Sequence, residues 1–128
     1  MEVIFTDETV KISYHYQKAY WLVDFQAYDT CRELYQQVLE DSLSLLRLKP
    51  TRKVIFDQTK KSFFREEDIA WAWLYWIPKV AKYLGKEGKL AVILPSKMLW
   101  QVEKPVFNLP FQSKTFASLK EAENWINR

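Results

Sequence analysis

Glycine, cysteine and histidine are scarce in this chain: two, one and one respectively among 128 residues. Gly85 and Gly88 stand together after a helical stretch, so no glycine-rich loop exists to cradle a phosphate, which excludes P-loop and dinucleotide-binding readings. A single cysteine, Cys31, excludes an intramolecular disulfide and a thiolate metal cluster. Its spacing with Leu34, Tyr35 and Val38 places it on a buried helix face. A catalytic histidine needs a nucleophile and an orienting partner within reach, and nothing around His15 supplies either. No catalytic residue, metal site or cofactor is therefore assigned. No apolar run approaches the ~18 residues needed to cross a membrane. The opening MEVIFTDETV lacks a basic stretch followed by an apolar core, so a reducing, cytoplasmic location is expected.

What the chain does have is aromatic and apolar surface. Aromatic residues make up 16% and hydrophobic residues 48%, beside 27% charged residues. That balance predicts one folded domain, 1–128, with a substantial core. The net charge of +3 arises from 19 basic and 16 acidic residues scattered along the chain. So weak and dispersed a charge is not the footprint of a nucleic-acid binder.

Residues 2–6 and 9–16 read as strands joined by a tight Asp7-Glu8 turn. Val10, Ile12, Tyr14 and Tyr16 alternate with polar neighbours, the period of a half-covered strand. A short connection leads into 19–25, so the domain is expected to open with an antiparallel meander. Thr30 with Glu33 fits a capping box for a helix carrying Cys31, Leu34, Tyr35, Val38, Ser42, Leu45 and Leu46 to about Leu48. Pro50 stops it. Residues 52–57 and 89–95 look like strands covered on both faces. Ser96 begins a short helix to about 103, 113–116 forms an edge strand, and Ser118 with Glu121 caps a last helix. The order βββαβαβαβα predicts an α/β domain with about four helices on a mixed, mostly parallel sheet.

The stretch 63–84, FFREEDIAWAWLYWIPKVAKYL, holds three of the six tryptophans. Ile69, Trp73, Trp76, Ile77, Val80 and Leu84 recur at helical spacing and form one apolar stripe. Trp71 and Tyr75 lie nearly opposite, and Pro78 cannot donate to the Leu74 carbonyl, so the helix should open or bend there. Gly85 is the expected C-cap. A helix with two apolar sides implies a protein interface at Trp71, Tyr75 and Pro78, with a second copy of the chain as the first partner to consider. A competing reading is that neighbouring loops, such as the long segment 105–112, cover Trp71 and Tyr75; a third is a cleft beside this helix that takes a lipid tail or another apolar ligand. Carboxyl ends of strands are a second place to look for ligands, and Asp24 and Asp57 both end strands. Around Asp57, the residues Thr59, Lys60, Lys61 and Glu66 would complete such a strand-end site. The competing reading is that Asp57 hydrogen-bonds the turn after it and Glu66 stabilises the helix N-terminus.

Three segments together resemble small STAS-like bacterial proteins, with a looser likeness to CRAL-TRIO lipid-binding domains. They are VIFDQTKK, then EEDIAWAWLYWIPK with Trp71, Trp76, Pro78 and Lys79, and TFASLKEAENWI with Trp125. The resemblance implies the fold of anti-sigma-factor antagonists and a regulatory, protein-binding role. It departs at the phosphorylated serine of that family, where Arg65 and Glu66 stand in this chain and Ser62 falls before the helix. A phosphorylation switch is therefore not expected.

Overall fold

A computed structural model describes residues 1–26, 31–49, 51–60, 65–96 and 111–128. Six strands form one mixed sheet in sequence order: β1 (Glu2–Thr6), β2 (Val10–His15), β3 (Tyr20–Phe25), β4 (Lys53–Asp57), β5 (Lys89–Ile93) and β6 (Gln112–Phe116). β1, β2 and β3 pair antiparallel, while β3 to β6 pair parallel. The expected meander and parallel half are both present. Asp7 Oδ1 makes the first hairpin tight by accepting the N–H groups of Thr9 (2.7 Å) and Val10 (2.8 Å). β1 is an exposed edge, and its pairing with β2 shifts register between Val3 and Phe5. An irregularity there interrupts the flat ladder that edge-to-edge pairing needs.

Among the described residues there are three helices. α1 is Arg32–Leu48 and α3 is Leu119–Ile126. α2 lies between them in the chain: it runs through Glu66–Trp71, opens into a π turn over Ala72–Trp76 and continues through Ile77–Leu84. The helix expected at 96–103 lies outside the described residues beyond Ser96, as do Thr30 and Pro50. α1 begins from Cys31, whose side chain makes no capping bond and is exposed, not buried as its spacing suggested. Leu34 is also turned outward, 46% exposed. The buried side of α1 is Tyr35, Val38, Leu39, Ser42, Leu43 and Leu46. Tyr35, Val38, Ser42 and Leu46 are buried as their spacing suggested, while Leu39 and Leu43 join them in place of Cys31 and Leu34. Gly85 takes the C-cap of α2 with φ 66°. At α3, Ser118 Oγ accepts the Glu121 N–H at 3.3 Å, and its hydroxyl donates to the Glu121 carboxylate at 3.0 Å. The cap is the one expected, with the carboxylate meeting the hydroxyl.

α1 and α2 cover one face of the sheet. Between them and the strands lies the larger core, including Ile12, Trp21, Val23, Phe25, Val54, Phe56 and Leu90. α3 covers the other face over Tyr20, Leu22, Ile55, Ala91, Ile93 and Phe116. That α1 and α2, joining successive parallel strands, share a face is what repeated crossovers of one hand require.

Two local features set expected stabilities. The Trp76 indole is 3% exposed, donates to the Leu39 carbonyl at 2.8 Å and meets Phe56 edge-on at 5.1 Å. Trp76→Ala should cost about 3–5 kcal/mol and Trp76→Phe about 1–2 kcal/mol in denaturant unfolding. Ala19 holds φ 54° in the turn before β3, where a Cβ is unfavourable. Ala19→Gly should raise stability by about 0.5–1 kcal/mol in the same measurement.

Candidate functional site

α2 is apolar on two sides, one buried at Trp76, Val80 and Leu84 and the other exposed at Leu74 and Tyr75. Trp76, Val80 and Leu84 are 3%, 0% and 0% exposed against the sheet and α1. On the far side Ala70, Leu74, Tyr75 and Pro78 are open to solvent, Leu74 at 68% and Tyr75 at 58%. The proline accounts for how the two sides are set. Without an N–H and with a ring that crowds the preceding turn, Pro78 is poorly accommodated in a regular helix. The turn before it widens, and the Ile77 N–H reaches back to the Ala72 carbonyl, five residues away. A π turn of this kind advances the helix face by about one residue, so the covered side before the turn is not the simple continuation of the covered side after it.

One consequence is that Trp71 is not simply opposite the core. It is half-buried, packs against the larger core and lies 6.2 Å from the Tyr75 ring at 40°. Arg32 and Gln36 of α1 face Trp71, Leu74 and Tyr75 across an open groove of about 410 Å³. Lower along the same junction, Lys79 pairs with Glu40 at 3.7 Å. The side chains of Glu66, Ile69 and Trp73 are outside the described set.

The upper end of the groove stands over a buried charge. Asp68 is 4% exposed, in the first turns of α2, with Arg32 Nε and Arg65 Nη1 each 3.9 Å from its carboxylate. Those distances are ion-pair distances beyond hydrogen-bond reach. A carboxylate so enclosed depends on the opposite charges beside it. The Tyr35 hydroxyl titrates well above its ordinary range, first because it is buried and second because the Asp68 charge opposes a phenolate. Asp68 therefore ties the N-terminal turns of α1 and α2 through Arg32, which also forms a groove wall.

At the carboxyl ends of the strands, Asp57 Oδ1 accepts the Thr59 N–H at 3.0 Å and the Thr59 hydroxyl. This is the turn-closing arrangement. Lys60 Nζ donates to Gln26 Oε1 at 3.0 Å. Asp24 sits beside Asp57 in the β3–β4 register and opposite Lys11 on β2. Lys61 lies outside the described residues. The structure thus brings Asp57, Thr59, Lys60 and Asp24 to one end of the sheet, and none of them lines the groove. Among the described residues no three His, Cys, Asp or Glu side chains are grouped to hold a metal ion, and no helix is long and apolar enough to cross a membrane. His15 stacks on Tyr20 at 5.1 Å and accepts the Lys18 N–H at 3.2 Å, a local strand-end role.

Sequence reasoning singled out Trp71, Tyr75 and Pro78 and missed Leu74 and Ala70, together with the α1 wall of Arg32 and Gln36. A regular helical wheel puts Leu74 at the margin of the apolar stripe; the π turn moves it outward. The α1 wall has no sequence signal, since it depends on how two helices pack. No family model matches the chain, and no match was found among curated proteins or solved structures.

The Asp24 carboxyl is held above its ordinary value of 3.8, first by burial and second by the Asp57 charge, with Lys60, Gln26 and Lys11 opposing. A raised carboxyl pKa means that the folded state binds more protons than the unfolded one between the ordinary and raised values. Stability from this group then falls as pH rises through that window. Asp24→Asn should therefore be more stable than wild type at neutral pH, with the advantage disappearing as pH falls toward 3.8. Urea midpoints measured across that pH range check this; an advantage that does not change with pH would contradict it.

Proposed function

We propose that this protein is a non-enzymatic, STAS-like interaction module of the cytoplasm that works in regulation by self-associating through the outward side of α2. One observation carries the reading: Leu74 and Tyr75, 68% and 58% exposed, lie together beside Trp71 on a helix that already buries Trp76, Val80 and Leu84 in the core. Folding alone gives no benefit from large apolar groups at those positions. Their burial against a partner would contribute about 1.5–3 kcal/mol for each fully covered side chain. Aromatic and aliphatic anchors of this kind, with polar groups at the rim, are the usual centre of a protein contact. Arg32, Gln36 and Glu67 supply that rim.

The test is sedimentation velocity of wild type against a Leu74→Ala, Tyr75→Ala variant. Wild type should sediment as a dimer of the 15.4 kDa chain. The variant should dissociate at least about 10,000-fold more readily, because each lost side chain counts twice in a two-fold contact and about 1.5 kcal/mol for each of the four comes to about 6 kcal/mol. Wild type that stays monomeric at its highest soluble concentration would remove the proposal.

A second reading is favoured by the groove itself. Its volume of about 410 Å³ falls within the range of small-ligand sites, roughly 300–1,000 Å³. An acyl chain or another apolar ligand there would lie along Trp71 and Leu74, with Arg32 near its polar end. Native mass spectrometry of gently purified protein separates the two readings: a mass adduct lost in the Leu74→Ala, Tyr75→Ala variant supports the ligand.

A further inference from the structure

The exposed side of α2 carries charge in a definite order. Glu67, Ala70, Leu74, Tyr75, Pro78 and Lys82 are all solvent-exposed and follow one another along that side. An acid stands at the N-terminal end, a base at the C-terminal end, and the apolar residues lie between. Among the described residues neither Glu67 nor Lys82 forms an ion pair, whereas Lys79, toward α1, is already matched with Glu40 at 3.7 Å.

We infer that two copies of this chain dock α2 against α2 antiparallel, about a two-fold axis passing between Leu74 and Tyr75, so that Glu67 of each copy pairs with Lys82 of the other. This register presupposes the self-association proposed above and specifies its geometry. Leu74 packs on Tyr75 of the second copy, Trp71 lies against Pro78, and the small Ala70 lets the backbones approach. The two ion pairs close the ends of the apolar patch, separated by about 20 Å of helix. A parallel arrangement would set Glu67 against Glu67 and Lys82 against Lys82, and like charges oppose it. The antiparallel one also opposes the two helix dipoles favourably.

Charge reversal tests the register. Glu67→Lys alone and Lys82→Glu alone each create two like-charge contacts in a homodimer, and each should weaken association roughly tenfold at low salt. In an equimolar mixture, a Glu67→Lys chain facing a Lys82→Glu chain has both contacts opposite in sign. The mixture should therefore recover wild-type affinity as a heterodimer, seen by sedimentation with one variant labelled. Both changes are at exposed positions, and urea unfolding of each variant confirms that its fold is intact. Single variants that associate like wild type, or a mixture that fails to recover, would overturn the antiparallel register. In either case dissociation of the Leu74→Ala, Tyr75→Ala variant would leave self-association standing. A monomeric wild type would overturn both.

Discussion

The indole of Trp76 fixes how α2 lies on the rest of the molecule. Its ring meets Phe56 of β4 edge-on, and its N–H donates to the Leu39 carbonyl of α1. A flat side chain with one donor meets both demands in a single orientation, so one residue links sheet, first helix and second helix. Val80 and Leu84 extend the same contact toward the C-terminal end. With the covered side of α2 decided in this way, the opposite side is decided too. The exposed Leu74 and Tyr75 are the geometric consequence of a buried Trp76.

Pro78 and the π turn before it modify this arrangement locally. In an uninterrupted α-helix, Trp71 would lie nearly opposite Trp76 and the covered side. The wider turn over Ala72–Trp76 instead brings Trp71 toward the core and α1 and sends Leu74 away from them. Such turns cost regular hydrogen bonding and persist where surrounding packing holds them. Here Trp76 anchors one side of the turn, and the Asp68–Arg32 contact holds the helix on the other. The apolar patch is therefore presented from a braced element, which lowers the ordering cost of any contact made there.

The sheet is used unequally. Its α1–α2 face is the larger core, whereas α3 covers the other face over β3 to β6. At the carboxyl ends of β3 and β4, Asp24 and Asp57 stand side by side in register. Asp57 is occupied by its own turn through Thr59, and Lys60 reaches across to Gln26. Charge at that end of the sheet is organised within the chain, while among the described residues Leu74 and Tyr75 on α2 stay exposed.

Local chemistry made several elements legible from the residues alone. Alternation in Val10 to Tyr14, the carboxylate of Asp7, the hydroxyl of Ser118 and the absent side chain of Gly85 each act within a few residues of themselves. Their consequences hold wherever the segment is placed. Position on a helix face is different in kind. Cys31 and Leu34 have the spacing of core residues yet are exposed, and Asp68 is buried although it is charged. In each case the outcome depends on the angle at which one element meets another. The sequence by itself determined the six strands, three of the four expected helices and the excess of apolar residues in the second of them. Only the tertiary structure decided which of those residues remain open, because a π turn and the docking of α1 rotate side chains by amounts that local periodicity does not encode.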